Sequence, residues 1–532
     1  MEPDTRPDSD VSVGTPRLAI LLAMAMFVLV VDTSLMNVSI SAVVHDLDTT
    51  VSGVQGAIAL EALVSAAFIL IGGKLGDLFG RKRAFVVGLL AYAVGALAMT
   101  LAQGLTAVIV FWAIVGGLGA SLLLPAMQSL VHGNFSGTAR TKAYALVAAA
   151  ASVAAAVGPL LGGFITTYLS WRVGFLLEVV VIAVVLSGIR LVHDVPYDGP
   201  READFVGAAL SVLGMGGLVL GILVWQEGGE SVAALLLLGV VAMAALIGWL
   251  RRRTRQGRPA LLDPGLFHSR RFRLGVSQEL LQQIALGGMV IALPIYLQLV
   301  LEYDAMQAGL SLAPLSLSMF AIALLAGKKA GNRRPSAIVR VGFALLAIGI
   351  TVVVVLVPRA DSGWALAAPL ALAGCGLGLV VSQLNNYTLG PIHEEHVSEA
   401  AGVNSAAGSF GLSFGLAFGG AIMLAALSIA FTDMTNDSTV LPQGAKQQVA
   451  QVLEDDAEVM SNTQLRTQLA DEPPAIRAEI LRINTDARPI ALQVALLVPL
   501  LASLIGLFNG FRMVRLTDPS RARPVDGGVS RS

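Results

Sequence analysis

Long apolar runs separated by short polar segments repeat along the whole 532-residue chain. A helix needs about 20 apolar residues to cross the hydrocarbon core of a bilayer, and each run approaches or exceeds that length. The runs are continuously apolar, which excludes the alternating strands of a transmembrane β-barrel. We therefore predict an all-α polytopic membrane protein with fourteen spans. Their predicted ranges are 17–40, 51–73, 84–102, 106–130, 143–168, 173–194, 205–225, 232–250, 273–300, 307–327, 337–357, 363–388, 401–431 and 489–512.

Twelve of these spans would form a transporter body of two six-helix halves, each built from inverted repeats. The two extra spans are most simply the seventh and eighth, between the halves. The predicted segments are a tail at 1–16, a first half at 17–194, the extra spans at 195–258, a second half at 259–431 and 489–512, and a tail at 513–532. The acid-rich stretch 432–488 is predicted as a solvated extracellular loop, in preference to a binding domain, with a possible short helix at Gln447–Val459.

Charged residues are scarce, and basic and acidic ones lie in loops on opposite sides of the predicted membrane. They make up 13% of the chain, against roughly 25% in soluble proteins. Lys and Arg cluster after spans eight, ten and fourteen, whereas the loops after spans one, three, seven and nine carry neither base, and all of them except the loop after span three carry acids. The positive-inside rule then places both termini in the cytoplasm. The polar N-terminus lacks the layout of a cleaved signal peptide, so we expect a retained first span in a bacterial cytoplasmic (inner) membrane.

A glycine-rich segment from Gly73 to Arg83 joins the second and third apolar runs. Gly72, Gly76 and Gly80 lie four residues apart and would share one helix face, where another backbone can approach closely. We predict that this segment forms a tight turn between two membrane helices.

The same segment carries charges that suit a cytoplasmic turn. Asp77 can accept hydrogen bonds from a helix N-terminus or pair with a basic group. Arg81 and the two basic residues after it would keep the turn on the cytoplasmic side. The corresponding place in the second half, Gly327–Pro335, keeps glycine and basic residues but has no Asp. A latch that depends on Asp would therefore form in the first half only.

Two acids lie near the middle of the first two spans, Asp32 and Glu61. A carboxyl inside a membrane is costly and marks a functional site by default. The two would be neighbours in a helical hairpin, and burial and mutual repulsion would both favour their protonated forms. Proton binding coupled to transport is one interpretation, in which Asn37 adds a polar group nearby. A structural carboxyl bonded to Ser or Asn is the other.

Two more acids lie within spans: Glu178 in the outer part of the sixth, and Glu279 in the inner third of the ninth, beside Gln282 and Gln283. Of the two amides, Gln282 is the predicted site residue. Either acid can also be interpreted as a headgroup-level residue. No Lys or Arg lies deep in any predicted span. A cavity with acids alone favours protons and lipophilic cations over anions.

Proline and glycine mark two further helices. Pro159 would bend span five because it removes a backbone hydrogen bond, and Gly158 and Gly162 would allow close packing at the bend. In span thirteen, Gly411, Gly415 and Gly419 form a groove beside a ridge of Phe410, Phe414 and Phe418. Close helix packing is the first interpretation of this span, and a hydrophobic substrate wall is the alternative.

The Gly73–Arg83 segment resembles the signature loop of the major facilitator superfamily, and Val157–Gly163 resembles the antiporter motif of its exporters. A further set of motifs resembles the fourteen-span drug:proton antiporter family over about residues 17–430 and the last span. This set comprises Asp32–Val38, Ser170–Phe175, Phe272, Leu293–Gln298, Gln307–Leu310 and Pro314. The resemblance implies proton-driven export of lipophilic compounds, a cytoplasmic latch at the signature loop, and coupling through the acid of span one.

The chain departs from that family at several membrane positions. Ala113 and Gly116 stand where an arginine and a glutamine are usual in span four, which removes the base near the proton path. Gly56 and Glu61 replace an expected Trp and Tyr in span two, and Glu178 and Val180 replace an Asn and a Pro in span six. Coupling and substrate range are therefore less firmly implied than the fold.

We thus predict a secondary transporter, and no enzyme, that exports hydrophobic or cationic compounds by alternating access. Its expected energy source is the proton gradient, with no cofactor. Its expected partners are membrane lipids, a lipophilic small molecule and protons, with no nucleic acid, and a monomer is expected. The alternatives are a transporter of lipids or lipid conjugates, and an uncoupled facilitator or small-metabolite transporter.

Overall fold

The computed structural model describes most of the chain between residues 14 and 516. The residues left undescribed are 1–13, 136, 195–203, 227–228, 230, 259, 330–333, 361, 393, 443–445, 447–448, 450–461, 471 and 517–532. Most of both tails, residues 330–333 of Gly327–Pro335 and nearly all of Gln447–Val459 therefore lie outside the described residues.

Fourteen long helices follow one another along the chain. They are α1 Pro16–Val38, α2 Val51–Phe79, α3 Arg81–Thr100, α4 Leu105–Asn134, α5 Gly137–Tyr168, α6 Trp171–Ser187, α7 Phe205–Gln226, α8 Val232–Arg255, α9 Arg270–Leu299, α10 Ala305–Lys329, α11 Pro335–Leu356, α12 Ala367–Leu389, α13 Glu394–Asp437 and α14 Pro474–Val514, the last with a slight break at Leu496. Within the described ranges, thirteen of them are long and apolar enough to cross a membrane. The remaining helix, α6, has 17 residues and lies where the sixth span was predicted. The chain is a multi-pass membrane protein.

The helices form two halves joined along two seams. In the first half α1 packs against α5 and α6, and α4 against α2 and α3; in the second, α9 packs against α13 and α14, and α12 against α10 and α11. The seams between the halves are α2 with α13 and α5 with α10. The two extra helices, α7 and α8, form a hairpin in which α7 contacts both α2 and α13.

Because successive helices alternate in direction, α1 begins and α14 ends on the same face of the bundle. This face is called the tail side below, and the opposite face the far side. Helices α1, α5 and α9 end on the far side, where α10 begins.

The glycine groove of α13 packs directly on α9. A Cβ atom at Gly411 would lie 3.2 Å from the Cβ of Gln283, and one at Gly419 would lie 3.2 Å from the Cα of Gly288. Close packing of these two helices in a membrane requires small residues at such contacts. The packing interpretation of this span is therefore confirmed.

The segment Gly73–Arg83 is helical except at one residue, so the prediction of a turn over the whole segment was wrong. Helix α2 continues to Phe79, and Arg81 already begins α3. Gly80 has φ +105°, a conformation that a side chain disfavours, and this residue alone reverses the chain. Gly80 therefore does not share the helix face of Gly72 and Gly76.

The stretch 432–488 contains less loop than predicted. Helix α13 runs on to Asp437, α14 begins at Pro474, and a short helix covers Asn462–Gln468. Residues 474–488 are amphipathic and not continuously apolar, so a search for apolar runs misses them. Contacts fix this region to the second half: Thr463 donates to the carboxylate of Glu302 from its amide (2.8 Å) and its hydroxyl (2.6 Å).

Candidate transport site

A cavity of about 370 Å³ lies between the two halves. Residues of α1, α2, α4, α5, α9, α10 and α13 line it. Most are apolar, and the polar ones are Thr33, Ser34, Asn37, Glu61, Ser65, Gln283, Ser316 and Ser409. Among the described residues of the lining, Glu61 is the one side chain that can carry a charge. The cavity therefore suits an apolar molecule with few polar groups.

Asp32 lies behind the wall of this cavity. It is completely buried, while its neighbours Thr33 and Ser34 line the cavity. The hydroxyl of Tyr92 donates to its Oδ2 atom. The indole Nε1 of Trp112 donates to both of its oxygens, at 3.0 Å and 2.8 Å. Helices α3 and α4 thus supply two neutral donors to the carboxyl of α1.

The position of Trp112 depends on an unusual stretch of α4. Residues Val108–Gly116 are wound as a π-helix, a geometry that is rare and frequent at functional sites. The ring of Trp112 also packs edge-on against Phe175, with ring centroids 6.3 Å apart. Ala113, which stands where the related family has an arginine, is buried and carries no polar group. Its neighbour Trp112 supplies the hydrogen bonds to Asp32 instead.

Sequence reasoning missed both Tyr92 and Trp112. A signal was available, because a buried Tyr hydroxyl or Trp indole usually has a hydrogen-bond partner. Two such residues in the spans that neighbour Asp32 could have been assigned to it.

Glu61 and Glu178 both lie close enough to Asp32 to repel it electrostatically. The structure thus brings together the three acids of the first half. Glu178 is the eighth of the 17 residues of α6, counted from the far side, and is 4% exposed. The predicted end of this span, at 194, was seven residues too late, since α6 ends at Ser187. Neither carboxyl oxygen of Glu178 has a hydrogen-bond partner among the described residues.

The other predicted polar residues are divided between the cavity and the helix contacts. Asn37 lines the cavity and donates from Nδ2 to the carbonyl of Thr33 at 2.7 Å. Gln282 is buried at 3% exposure and is absent from the lining, where its neighbour Gln283 lies instead. Glu279 belongs to a separate polar cluster of the second half, one helical turn from Gln283.

The signature segment forms two charge contacts on the tail side. Arg81 donates to the Oδ1 atom of Asp77 from Nε and Nη2, each at 3.1 Å. Asp194, which follows α6, accepts a hydrogen bond from the backbone N–H of Lys82 at 3.0 Å. Asp194 thus binds the N-terminus of α3, a role that the sequence had offered to Asp77. Gly73 faces Pro125 of α4, where a Cβ atom would lie 3.5 Å from the ring.

The proline and glycines of α5 contact two different helices. Gly158 and Gly162 face Ser34 and Leu35 of α1. The carbonyl of Pro159 lies against Gly309 of α10. The motif therefore packs α5 against α1 within the first half, and it also packs α5 against α10 at the seam between the halves.

Direct contacts join the halves on the far side. The side chain of Gln298 in α9 bridges the junction between α1 and a short helix that follows it, Ile40–Leu47. Its Nε2 donates to the carbonyl of Val38 at 3.2 Å, and its Oε1 accepts from the N–H of Ser41 at 3.3 Å. At the other seam, the hydroxyl of Thr167 accepts from the N–H of Met306 at 3.0 Å. The cavity is thus closed on the far side by contacts between α1 and α9 and between α5 and α10.

We expect Gln298→Leu to weaken this closure, because the carbonyl of Val38 and the N–H of Ser41 would lose their partner at about 0.5–1.5 kcal/mol per hydrogen bond. The measurement is the yield of a short thiol crosslinker between cysteines placed at 167 and 306 in a Cys375→Ser background. We expect the yield to fall several-fold. Gln493→Leu is the matched control, because Gln493 donates to the carbonyl of Val354 within the second half. Equal yields in the two variants would contradict a role for Gln298 in closure.

Comparisons with known proteins agree with this arrangement. A sequence family described as the Major Facilitator Superfamily matches residues 22–416. The puromycin resistance protein pur8 of Streptomyces alboniger is 30% identical over 73% of this chain and 78% of its own length. The probable actinorhodin transporter of Streptomyces coelicolor is 26% identical, covering 76% and 72%. The multidrug export protein EmrB of Haemophilus influenzae is 29% identical, covering 62% and 65%.

Solved structures of transporters share the fold at low sequence identity. A bacterial homolog of the human lysosomal transporter Spinster superposes with a TM-score of 0.63 at 10% identity, covering 97% of this chain and all of that one. A proton dependent oligopeptide transporter gives a TM-score of 0.57 at 18% identity, covering 93% and 99%.

Proposed function

The chain belongs to the Major Facilitator Superfamily, and we propose that it exports lipophilic compounds, including cationic ones, by alternating access coupled to protons. The observation that carries this proposal is the central cavity, which is apolar except for a few polar side chains and Glu61. Relatives named as antibiotic and multidrug exporters support the same direction and substrate class.

In this proposal the cavity alternates between the two sides of the membrane. The structure holds the far side closed through Gln298 and through the contact of Pro159 with Gly309. Substrate enters from the tail side, which we assign to the cytoplasm together with both termini. Release requires that the far-side contacts separate while the tail ends of the halves come together. Asp77, Arg81 and the Gly80 reversal lie at that tail end and would act as the latch.

Asp32 and Glu61 are the proposed proton carriers. Glu61 faces the cavity, so a cationic substrate and a proton would compete for the same carboxyl. Asp32 is sealed behind the cavity wall and held by Tyr92 and Trp112. Repulsion between two buried carboxylates makes simultaneous ionisation costly. Loss of a proton from one carboxyl therefore favours retention of a proton on the other.

The proposal also covers the oligomeric state, the membrane, the energy source and the partners. We propose a monomer in a bacterial cytoplasmic membrane, driven by the proton gradient without a cofactor, with lipids, protons and lipophilic molecules as its partners. Family membership indicates a transporter and not an enzyme.

Two alternatives make different demands on the molecule. An uncoupled facilitator has no need for two further buried acids near Asp32, so the carboxyl cluster of the first half favours coupling. A lipid transporter needs a lateral opening for acyl chains. Helix α7 covers the α2–α13 seam, where the ring of Trp225 lies 6.5 Å from that of Phe418, which disfavours lipid entry along that side.

Accumulation of a fluorescent lipophilic dye in everted membrane vesicles tests export through this cavity. Ala155 lines the cavity, so we expect Ala155→Phe to fill it and to abolish energised accumulation. The matched control is Ala245→Phe on the exposed face of α8, which should accumulate dye as the unmodified protein does. Full accumulation by Ala155→Phe would exclude the cavity as the route.

A further inference from the structure

A polar cluster lies in the second half, on the tail side of the cavity. Glu279 and Gln283 of α9 lie one turn apart, with the amide Nε2 of Gln283 3.5 Å from Oε1 of Glu279. Asn404 of α13 lies near this carboxyl, and its Nδ2 donates to Oδ1 of Asn385 in α12 at 2.9 Å. Three helices thus place polar side chains around one acid.

The cluster has more acceptors than donors. Oε1 of Gln283 and Oδ1 of Asn404 are buried without a hydrogen-bond partner in the described part of the chain. Asn404 is only 5% exposed. Among the described residues, no Lys, Arg or His forms an ion pair with Glu279. Buried acceptors without partners are uncommon because each costs free energy, so this arrangement lacks a donor that carries positive charge.

The cluster is continuous with the cavity. Gln283 and Ser409 are part of the cavity lining. Gly408 leaves room beside the carboxyl, because a Cβ atom there would lie 3.1 Å from Oε1 of Glu279. A ligand in the cavity therefore needs to extend by about one helical turn towards the tail side to reach Glu279.

We propose that Glu279, Gln283 and Asn404 form a binding site for an ammonium group that carries N–H bonds. The carboxylate neutralises the charge, and the two amide oxygens accept hydrogen bonds from the nitrogen. A quaternary ammonium has the same charge but no N–H to donate. The site therefore selects protonated amines over quaternary ammonium compounds, and it adds a substrate preference to the proposed export function, on which it rests.

The acid in this site differs in role from those of the first half. Asp32 is sealed from the cavity and bonded to two neutral donors, whereas Glu279 is partly exposed beside unpaired acceptors. Asp32 thus binds a proton only, Glu61 is the carboxyl for which proton and cation compete, and Glu279 is the carboxyl that selects an ammonium group with N–H bonds.

Transport of three radiolabelled probes by proteoliposomes tests the site. The probes are propranolol, a protonated secondary amine; its quaternary N-methyl derivative; and chloramphenicol, which is uncharged. We expect Glu279→Gln to raise KM for propranolol at least about tenfold, as loss of a hydrogen bond to a charged group implies, and to leave chloramphenicol unchanged. We expect Gln283→Leu to raise KM for propranolol and not for the quaternary derivative.

Glu472→Gln is the control, because Glu472 is exposed outside the membrane-spanning core and the substitution removes the same charge. Thermal unfolding of each purified variant shows whether it is folded. Unchanged propranolol transport by Glu279→Gln, or equal effects of Gln283→Leu on both amines, would overturn the ammonium site. Absence of transport of all three probes by the unmodified protein would instead count against the export function itself.

Discussion

Replacing Asp32 with asparagine is expected to abolish substrate-driven proton movement in proteoliposomes. Asparagine keeps the size of the side chain but cannot bind and release a proton at neutral pH. Asp32 is fully buried and accepts hydrogen bonds from Tyr92 and Trp112, so the asparagine would occupy the same position without a titratable proton. The measurement is the fluorescence of a trapped pH indicator after substrate is added.

Asp48→Asn is the matched control for this experiment. Asp48 is exposed just beyond α1 and has φ +48°, a conformation that asparagine also adopts readily. We expect its proton movement to equal that of the unmodified protein. Glu61→Gln should behave like Asp32→Asn, because it removes the carboxyl that faces the cavity. Full proton-coupled flux in both carboxyl variants would show that neither residue carries the proton.

Replacing Gly309 with valine is expected to stop transport by a different cause. Gly309 is buried against the carbonyl of Pro159 at the α5–α10 seam. Side-chain atoms added to a close-packed contact cost about 1–3 kcal/mol. That cost disfavours the closed far side and shifts the equilibrium between the two conformations by about fivefold to a hundredfold, since about 1.4 kcal/mol is a factor of ten. We expect transport and crosslinking between positions 167 and 306 to fall together.

Gly216→Val provides the comparison for Gly309→Val. Gly216 lies in α7, and a Cβ atom at this position would meet no atom within 4 Å. The substitution is the same and the helix environment is similar, but no seam is disturbed. A Gly309 variant that transports at the normal rate with normal crosslinking would contradict the assignment of this contact to closure.

Hydropathy was sufficient to predict the helices but not their ends. The apolar runs predicted the membrane-spanning fold and the position of the extra hairpin because both depend on composition over about 20 residues. The ends depend on single residues. Gly80 confines the reversal between α2 and α3 to one position, and the amphipathic start of α14 extends it beyond the apolar run.

The acids of the site were predictable, whereas their partners were not. Asp32 and Glu61 are visible in the sequence because charge is rare within an apolar run. Trp112, which donates to Asp32, lies in the π-helical stretch of α4, which no local pattern indicates. One residue of error also matters on a helix, since successive side chains differ by about 100°. For that reason Gln283 lines the cavity and the predicted Gln282 does not.

The phenylalanine ridge of α13 shows how two interpretations were separated by packing. Phe414 stacks on Phe418, with ring centroids 5.3 Å apart, and Phe418 lies near Trp225 of α7. None of the three phenylalanines belongs to the described lining of the cavity, where the neighbouring Ser409 and Leu412 lie. The ridge therefore packs against the extra hairpin and does not form a substrate wall in this conformation.

Coupling of export to protons is tested most directly by the unmodified protein in proteoliposomes of known orientation. The measurement is accumulation of a lipophilic cation with and without an imposed pH gradient, with internal pH recorded at the same time. Proton-coupled export requires that the gradient drive accumulation above equilibrium and that each substrate movement be accompanied by proton movement in the opposite direction. Equilibration at the same rate with and without the gradient, and with no change in internal pH, would contradict it.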